Sequence, residues 1–493
     1  MTLPFPTTGK SKDEVLAIMR AARDHDVQWQ KGRAFSLVYH AGKDVDDLLK
    51  EASLLFFSEN GLNPAAFPSL QKFETEILAM AASLLGDEHA VGTVTSGGTE
   101  SLLMAVKTAR DWARKHRPEI KQPEMIVPIS GHPAFEKASE YFGVKAVRTP
   151  LRADSRTDVD AVRKAVTPNT ILIIGSAPAY PHGVVDPIRE LAALAKEHNI
   201  LFHTDACVGG FILPFVRKLG YPVPDFDLSV PGVTSISADL HKYAYAAKGA
   251  SVILYKTSEL RRHQMFVSTD WPGGIYPSPS MGGTRPASPI AAAWAVLNYL
   301  GEAGYLELTD AVMKAAKQLQ EGVNAIPGLK VMSDPEMSVF AIGSDPSSAH
   351  RQAQGGSSGL DVYALADELT KRNWHLDRQQ FPPTLHMTVQ FGHVGVVDEF
   401  LSDLADAANV IRKPSVEKTA NAWLIAIANF LVRILPERWV TALMEKVSGL
   451  VGVGGGLPSK MAPMYGLMGS LPNRGDLKEM VLDLLDGMTR YKE

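Results

Sequence analysis

Between about residues 90 and 260, short unbroken apolar runs alternate with segments whose apolar residues recur every three or four positions. The runs M-I-V-P (125–128), T-I-L-I-I-G (170–175), I-L-F-H-T-D (200–205) and S-V-I-L-Y (251–255) predict strands buried on both faces. K-A-S-E-Y-F-G (137–143) and P-I-R-E-L-A-A-L-A-K-E-H (187–198) predict helices between them. That alternation predicts an α/β domain, with a parallel sheet covered by helices. Upstream, residues 11–31 predict a surface helix with Val15, Ile18 and Met19 among charges. Asp44–Phe57 predicts a second helix, and Leu70–Leu85 a third after the irregular N-G-L-N-P-A-A-F-P-S. Residues 326–415 repeat the strand–helix pattern more weakly and predict a smaller α/β domain. Q-A-Q-G-G-S-S-G (352–359) reads as a surface loop. From 416 a helical pattern runs to the end, interrupted by V-G-V-G-G-G. The expected organisation is an N-terminal helical segment (1–60), a large domain (61–325), a small domain (326–415) and a helical extension (416–493).

Composition narrows this picture in three ways. A net charge of −4 supplies no broad basic field, so nucleic acid is not expected as a partner. Cys207 is the sole cysteine, so neither an internal disulfide nor a thiolate metal cluster can form, which fits a reducing cytoplasm. The most apolar late stretch, Ala422–Leu435, carries Asn429 and Arg433, stops at Pro436, and is too short to cross a bilayer. No apolar signal region follows the polar N-terminus, so no transmembrane segment is expected.

Four stretches could carry chemistry. T-V-T-S-G-G-T-E-S (93–101) leads small residues into an amphipathic helix, so the N–H groups of Ser96, Gly97, Gly98 and Thr99 form a candidate phosphate cradle. Asp205 ends an apolar strand, where ligands of open α/β sheets bind. His132 in S-G-H-P-A-F and Tyr180 with His182 in S-A-P-A-Y-P-H-G also follow strands. Singly, the cradle serves as well as a capping loop, Asp205 as a cap for the next turn, and His132 as a helix-start residue. Lys242 lies in S-I-S-A-D-L-H-K-Y-A-Y-A-A-K-G (235–249), six residues before Lys248, in a segment that reads as packed. Burial is expected to lower its pKa and make the neutral amine a nucleophile for carbonyls. A cradle, a ring-stacking histidine, a carboxylate for a ring nitrogen and a reactive lysine, in that chain order, meet the needs of pyridoxal 5′-phosphate. No metal site is expected.

These stretches, with H-T-D-A-C-V-G-G-F, T-D-W-P-G-G-I-Y, the extension V-V-D-P after S-A-P-A-Y-P-H-G, and N-W-H-L-D-R-Q-Q-F-P-P-T-L-H, resemble the sphingosine-1-phosphate lyase family, near the group II decarboxylases. The resemblance runs from about residue 30 to 415. It implies a fold-type I pyridoxal phosphate enzyme, with a mostly parallel seven-stranded sheet in the large domain and a smaller C-terminal α/β domain. It implies that Lys242 bonds to the cofactor aldehyde, Asp205 holds the ring nitrogen, and His132 stacks on the ring. Gly98, Thr99 and His241 would contact the cofactor phosphate, joined by Thr284 from the neighbouring subunit, so a homodimer with shared sites follows. Tyr39 and Lys248 match positions near the substrate phosphate, and Tyr180 one near the substrate hydroxyl. The family often has His-Pro where this chain has Asn63–Pro64, so Asn63 is a substrate-binding position altered in chemistry. The implied reaction is retro-aldol cleavage of a long-chain base phosphate to an aldehyde and phosphoethanolamine, with Lys242 or Tyr180 carrying the proton. Amino-acid decarboxylation on the same fold, or binding without turnover, are the alternatives. The membrane anchor of eukaryotic members has no counterpart in the sequence, so a soluble, bacterial-type cytoplasmic enzyme is expected.

Overall fold

The computed structural model describes residues 3–345, 360–413 and positions 478, 479, 481, 482, 485 and 486. The expected loop 352–359, the stretch Ala422–Leu435 and the Gly-rich run 451–456 lie outside the described residues, as does almost all of the extension 416–493.

The three upstream helices form as α1 (Lys12–Arg23), α2 (Lys43–Leu55) and α3 (Pro68–Leu84). Ser11 caps α1 with a reciprocal Ser11–Glu14 box, whereas Pro68 opens α3 at a position where its missing N–H costs nothing. The large sheet contains β1 (Val91–Thr95), β2 (Glu124–Pro128), β3 (Lys145–Thr149), β4 (Thr170–Ser176), β5 (Leu201–Asp205), β6 (Ser235–Ala238) and β7 (Ser251–Tyr255). Its seven strands run in the order β1-β7-β6-β5-β4-β2-β3. Strands β2 to β6 pair in parallel, and β7 runs antiparallel to both its neighbours. Helices α4 (Gly98–His116), α5 (Ala134–Phe142), α6 (Val159–Ala165), α7 (Ile188–Glu197) and α8 (Leu213–Lys218) fall between strands, and α9 (Ser258–Arg262) follows β7. Ile126, Ile173, Phe202 and Ile236 from four strands share one core with Leu191 and Leu194 of α7.

Parallel strands deliver all their carboxyl ends to one rim. Ser96–Thr99 follow β1, His132 follows β2, the Ala177–Asp186 loop follows β4, Asp205 ends β5, and Lys242 follows β6. Buried Asp186 fixes the third of these loops by accepting the Ser176 and Thr157 N–H groups, both at 2.8 Å, and the Thr157 hydroxyl at 2.7 Å.

A hairpin, β8 (Phe266–Ser268) and β9 (Tyr276–Ser278), leads to α10 (Ala287–Ala325), which breaks at Gly301 with φ 54°. Beyond α10 a second sheet contains β10 (Leu329–Val331), β11 (Val339–Ser344), β12 (Asp377–Gln379) and β13 (Thr384–Thr388) in the order β10-β11-β13-β12, all antiparallel. Helices Val362–Thr370 and Val397–Arg412 share its core through Leu365, Phe400 and Leu404. The N-terminal segment joins this sheet. Ala34 bridges His375, and Phe35 both donates to the His375 carbonyl (3.1 Å) and accepts the Thr388 N–H (2.8 Å).

Candidate active site

Lys242 sits in a tight turn between β6 and β7. The Tyr245 N–H donates to its carbonyl at 2.9 Å, and Ala246 N–H reaches back to Leu240 at 3.0 Å. Three tyrosines brace the turn. The Tyr243 hydroxyl donates to the Val389 carbonyl (2.7 Å), the Tyr305 hydroxyl donates to the Ala244 carbonyl (2.8 Å), and Tyr39 packs edge-on against Tyr243 at 5.0 Å. The Lys242 backbone is therefore anchored to the small domain as well as to its own strand.

The lysine's electrostatics differ from the sequence expectation. Its Nζ lies 2.9 Å from Oδ2 of Asp239, whose side chain is 2 % exposed. Burial works to lower the Lys242 pKa, but the Asp239 charge, aided by Tyr39, outweighs it and holds the amine above the ordinary lysine value. The downward shift falls instead on Lys248, which burial and the Lys242 charge bring to about 8. Lys248 stands at the open edge of the site, with its ammonium 5.1 Å over the Tyr39 ring and 3.1 Å from the His241 carbonyl. Burial raises the Tyr39 hydroxyl to about 12, against the pull of Lys242.

The residues expected to hold a cofactor converge here. The charges of Asp205, Lys242 and Asp239 all act on His132, which keeps a face open to solvent while its packed surroundings push its pKa down. Its Nδ1 accepts the Ala134 N–H at 3.1 Å, which fixes the ring at the start of α5. Asp205 Oδ1 accepts the Cys207 N–H at 3.1 Å. His241 Nδ1 accepts the Ala250 N–H at 3.3 Å, and its Nε2 lies 3.7 Å from Asp239. Gly98 opens α4 against the same carboxylate. A Cβ at Gly98 would come 2.8 Å from the Asp239 oxygens and 2.9 Å from Cys207 Sγ, so only glycine lets the helix N-terminus approach this closely. Thr99 follows on the exposed first turn. Ser96 serves otherwise: its N–H and hydroxyl both donate to Glu100, at 2.7 and 2.8 Å. Cys207 is buried, and burial followed by the charges of Asp205 and Asp239 keeps it a thiol.

A second group closes the site from the small domain. Tyr180 donates to Asp377 Oδ2 at 3.0 Å and stacks on His386, with ring centroids 3.9 Å apart. Asp377 and His386 face each other directly across the β12–β13 ladder, so one register sets both contacts. Burial works to raise the Asp377 pKa, but donors at His375, Ser36 and Tyr180 hold it at about 2. Burial and the Asp377 charge hold Tyr180 well above the usual phenol range. Burial drops His386 to about 3, so its ring is neutral. His182 lies on the same loop as Tyr180 and is likewise lowered by burial.

Two expected residues stand apart. Asn63 Oδ1 accepts the Ala65 and Ala66 N–H groups at 3.1 and 3.2 Å on an exposed turn. Thr284 is exposed on the loop before α10. Sequence reasoning assigned no role to Asp239, Asp377 or His386. Asp239 was visible three residues before Lys242, whereas Asp377 and His386 meet Tyr180 only through folding.

Pyridoxal 5′-phosphate suits this donor set. A glycine-opened helix N-terminus lies beside a fully buried carboxylate oxygen, Asp239 Oδ1, that lacks a hydrogen-bond partner. A lysine, a second strand-end carboxylate and two histidines surround them.

Comparison with known proteins agrees with this geometry. The pyridoxal-dependent decarboxylase conserved domain matches residues 5–342. The chain is 40% identical over 482 residues to a sphingosine-1-phosphate lyase of Arabidopsis thaliana, covering 96% of this chain and 79% of that protein. It is 42% identical over 419 residues to sphingosine-1-phosphate lyase 1 of Rattus norvegicus, covering 84% of this chain and 71% of that protein. Among solved structures it is similar to the Burkholderia pseudomallei K96243 sphingosine-1-phosphate lyase, with TM-score 0.78 and 38% identity, covering 88% of this chain and 98% of that one.

Proposed function

The chain belongs to the sphingosine-1-phosphate lyases of the pyridoxal-dependent decarboxylase family, and from this premise we propose how its own residues cleave a long-chain base phosphate. Lys242 would hold the cofactor aldehyde, Asp205 its ring nitrogen, His132 its ring face, and Gly98, Thr99 and His241 its phosphate. When bound, pyridoxal phosphate supplies an electron sink for the pair released as the carbon–carbon bond breaks.

The protein's residues do the rest. Lys248, a cation below about pH 8, faces the substrate phosphate together with the Tyr39 hydroxyl. Tyr180 commits its one proton to Asp377 at 3.0 Å, so its oxygen remains as an acceptor that orients the substrate hydroxyl. Held protonated, it is a positioning group rather than a phenolate base. Lys242, released as a neutral amine when the substrate amine takes its place, accepts the hydroxyl proton and later returns it, because Asp239 stabilises the ammonium so formed. As the hydroxyl loses its proton, the carbon–oxygen double bond forms and the adjacent carbon–carbon bond breaks. The aldehyde leaves, and the remaining carbon regains a proton to give phosphoethanolamine.

Two further features belong to the proposal. The proposal includes a homodimer in which the partner subunit's Thr284 completes the cofactor phosphate site, and the exposure of the Thr284 loop is compatible with it. No helix among the described residues is long and apolar enough to cross a membrane, and the single cysteine fits a cytoplasmic setting. The division at 60/61 and 325/326 assigns the N-terminal segment to substrate contact through Tyr39.

The observation that carries the reading is Lys248 poised over Tyr39 beside Lys242, since decarboxylation of an amino acid has no use for a phosphate-binding cation. The decarboxylase reading has weaker support, from the family domain and from a probable L-aspartate decarboxylase 33% identical over 339 residues. Incubation of the cofactor-loaded protein with sphingosine 1-phosphate decides between them. The lyase releases a long-chain aldehyde and phosphoethanolamine in equal amounts. Carbon dioxide from an amino acid, with no aldehyde from the phospholipid base, reverses the assignment.

A further inference from the structure

Away from the site just described, three side chains converge on one point of the surface. His116 ends α4, and Glu259 and His263 lie four residues apart at α9. Both imidazoles direct Nε2 at the same atom, Glu259 Oε1, at distances of 3.0 Å from His116 and 3.1 Å from His263. One donor atom from each of the three residues lies within 4.8 Å of the others. Bonds of about 2.0–2.1 Å to a tetrahedral ion place such donor atoms about 3.3 Å apart, so the two nitrogen–oxygen distances need open by only a few tenths of an ångström.

The arrangement is fixed from behind. His116 stacks on Trp112 of its own helix, with centroids 5.4 Å apart and planes at 24°. The α9 end is tied to α4 by Lys107, whose ammonium donates to the carbonyls of His263, Gln264 and Met265 at 2.7, 2.9 and 3.1 Å. These ties hold the His263 backbone in place.

We infer that His116, Glu259 and His263 form a zinc-binding site that clamps the end of α4 to α9. Two borderline imidazole nitrogens and one hard carboxylate oxygen are a donor set that Zn²⁺ accepts, with a fourth position left for water. Lys115 and Arg262 border the same recess, and their charge weakens the binding of a cation there. The clamp sits immediately before the β8–β9 hairpin, which bears exposed Phe266, Trp271 and Ile275, so the ion would stiffen the base of that hairpin.

The test is Zn²⁺ titration against a chromophoric indicator, using tag-free, chelator-treated protein saturated with cofactor so that the Lys242 site is filled. One ion per chain is expected, with a rise in melting temperature. His116→Ala and Glu259→Gln should each weaken binding at least tenfold and abolish the rise, with turnover unchanged. Glu259→Gln keeps shape and hydrogen bonding, which separates loss of a ligand from loss of fold. Absence of a stoichiometric ion in the parent protein, or equal binding by both variants, overturns the site.

Discussion

Lys248 changes charge within the range where the enzyme would work. With a pKa of about 8 the side chain is half charged at that pH, almost wholly a cation a unit below it and almost wholly neutral a unit above. The KM for a phosphorylated substrate should therefore climb above pH 8, by up to about tenfold per unit. Lys248→Met should show a raised KM that no longer bends at that pH, with cofactor absorbance retained. A bend that persists in the variant assigns the titration elsewhere. Asp377 makes a second residue-scale prediction. Asp377→Ala frees the Tyr180 proton, and kcat should fall about 10- to 100-fold while the cofactor stays bound; loss of cofactor would instead mean a structural role. The sequence displayed Lys242, Asp205, His132 and Lys248 but misjudged which lysine is depressed. Burial alone predicts a lowered Lys242, and the carboxylate three residues earlier in S-A-D-L-H-K reverses the sign. Asp377 was beyond sequence reasoning because its partner Tyr180 is reached only through the β12–β13 register.

At the scale of elements, the approach of α4 to the Lys242 turn is the feature most exposed to substitution. Gly98→Ala puts a methyl group against Asp239 and Cys207 Sγ. Cofactor affinity, followed by absorbance titration, should fall at least tenfold, with helix content retained; unchanged affinity would remove the helix N-terminus from the phosphate site. Strands were legible where they were apolar throughout, as in β2, β4, β5 and β7. They were not legible in β3, whose Lys145 and Arg148 are exposed at the sheet edge, nor in β6, whose S-I-S-A buries small polar side chains. A charged edge strand discourages further pairing and so lacks the apolar run that reveals a buried strand. The reversal of β7 left no trace in its composition, which matches that of its parallel neighbours.

For the molecule as a whole, the site depends on the two sheets meeting. Gly183, at φ +72°, lies where an added Cβ would overlap the Val339 carbonyl oxygen of β11. Gly183→Ala should lower stability by roughly 2–4 kcal/mol, read as a drop in melting temperature, and should reduce activity through Tyr180. The proposed homodimer carries its own test. A Lys242→Ala chain mixed with a Thr284→Asp chain should recover activity through the one heterodimer site that contains neither change. No recovery, despite mixed dimers, would place both residues in the same chain's site. The two-sheet division could be read from the weakening pattern after residue 325, but the antiparallel order of the second sheet could not, because its strands are short.

Everything above turns on the Lys242 side chain bearing the cofactor. Borohydride reduction of the loaded protein, followed by proteolysis and mass mapping, should find the pyridoxyl group on the peptide containing Lys242, and Lys242→Ala should take up no label. Label on another lysine, or none in the loaded parent protein, would contradict the account.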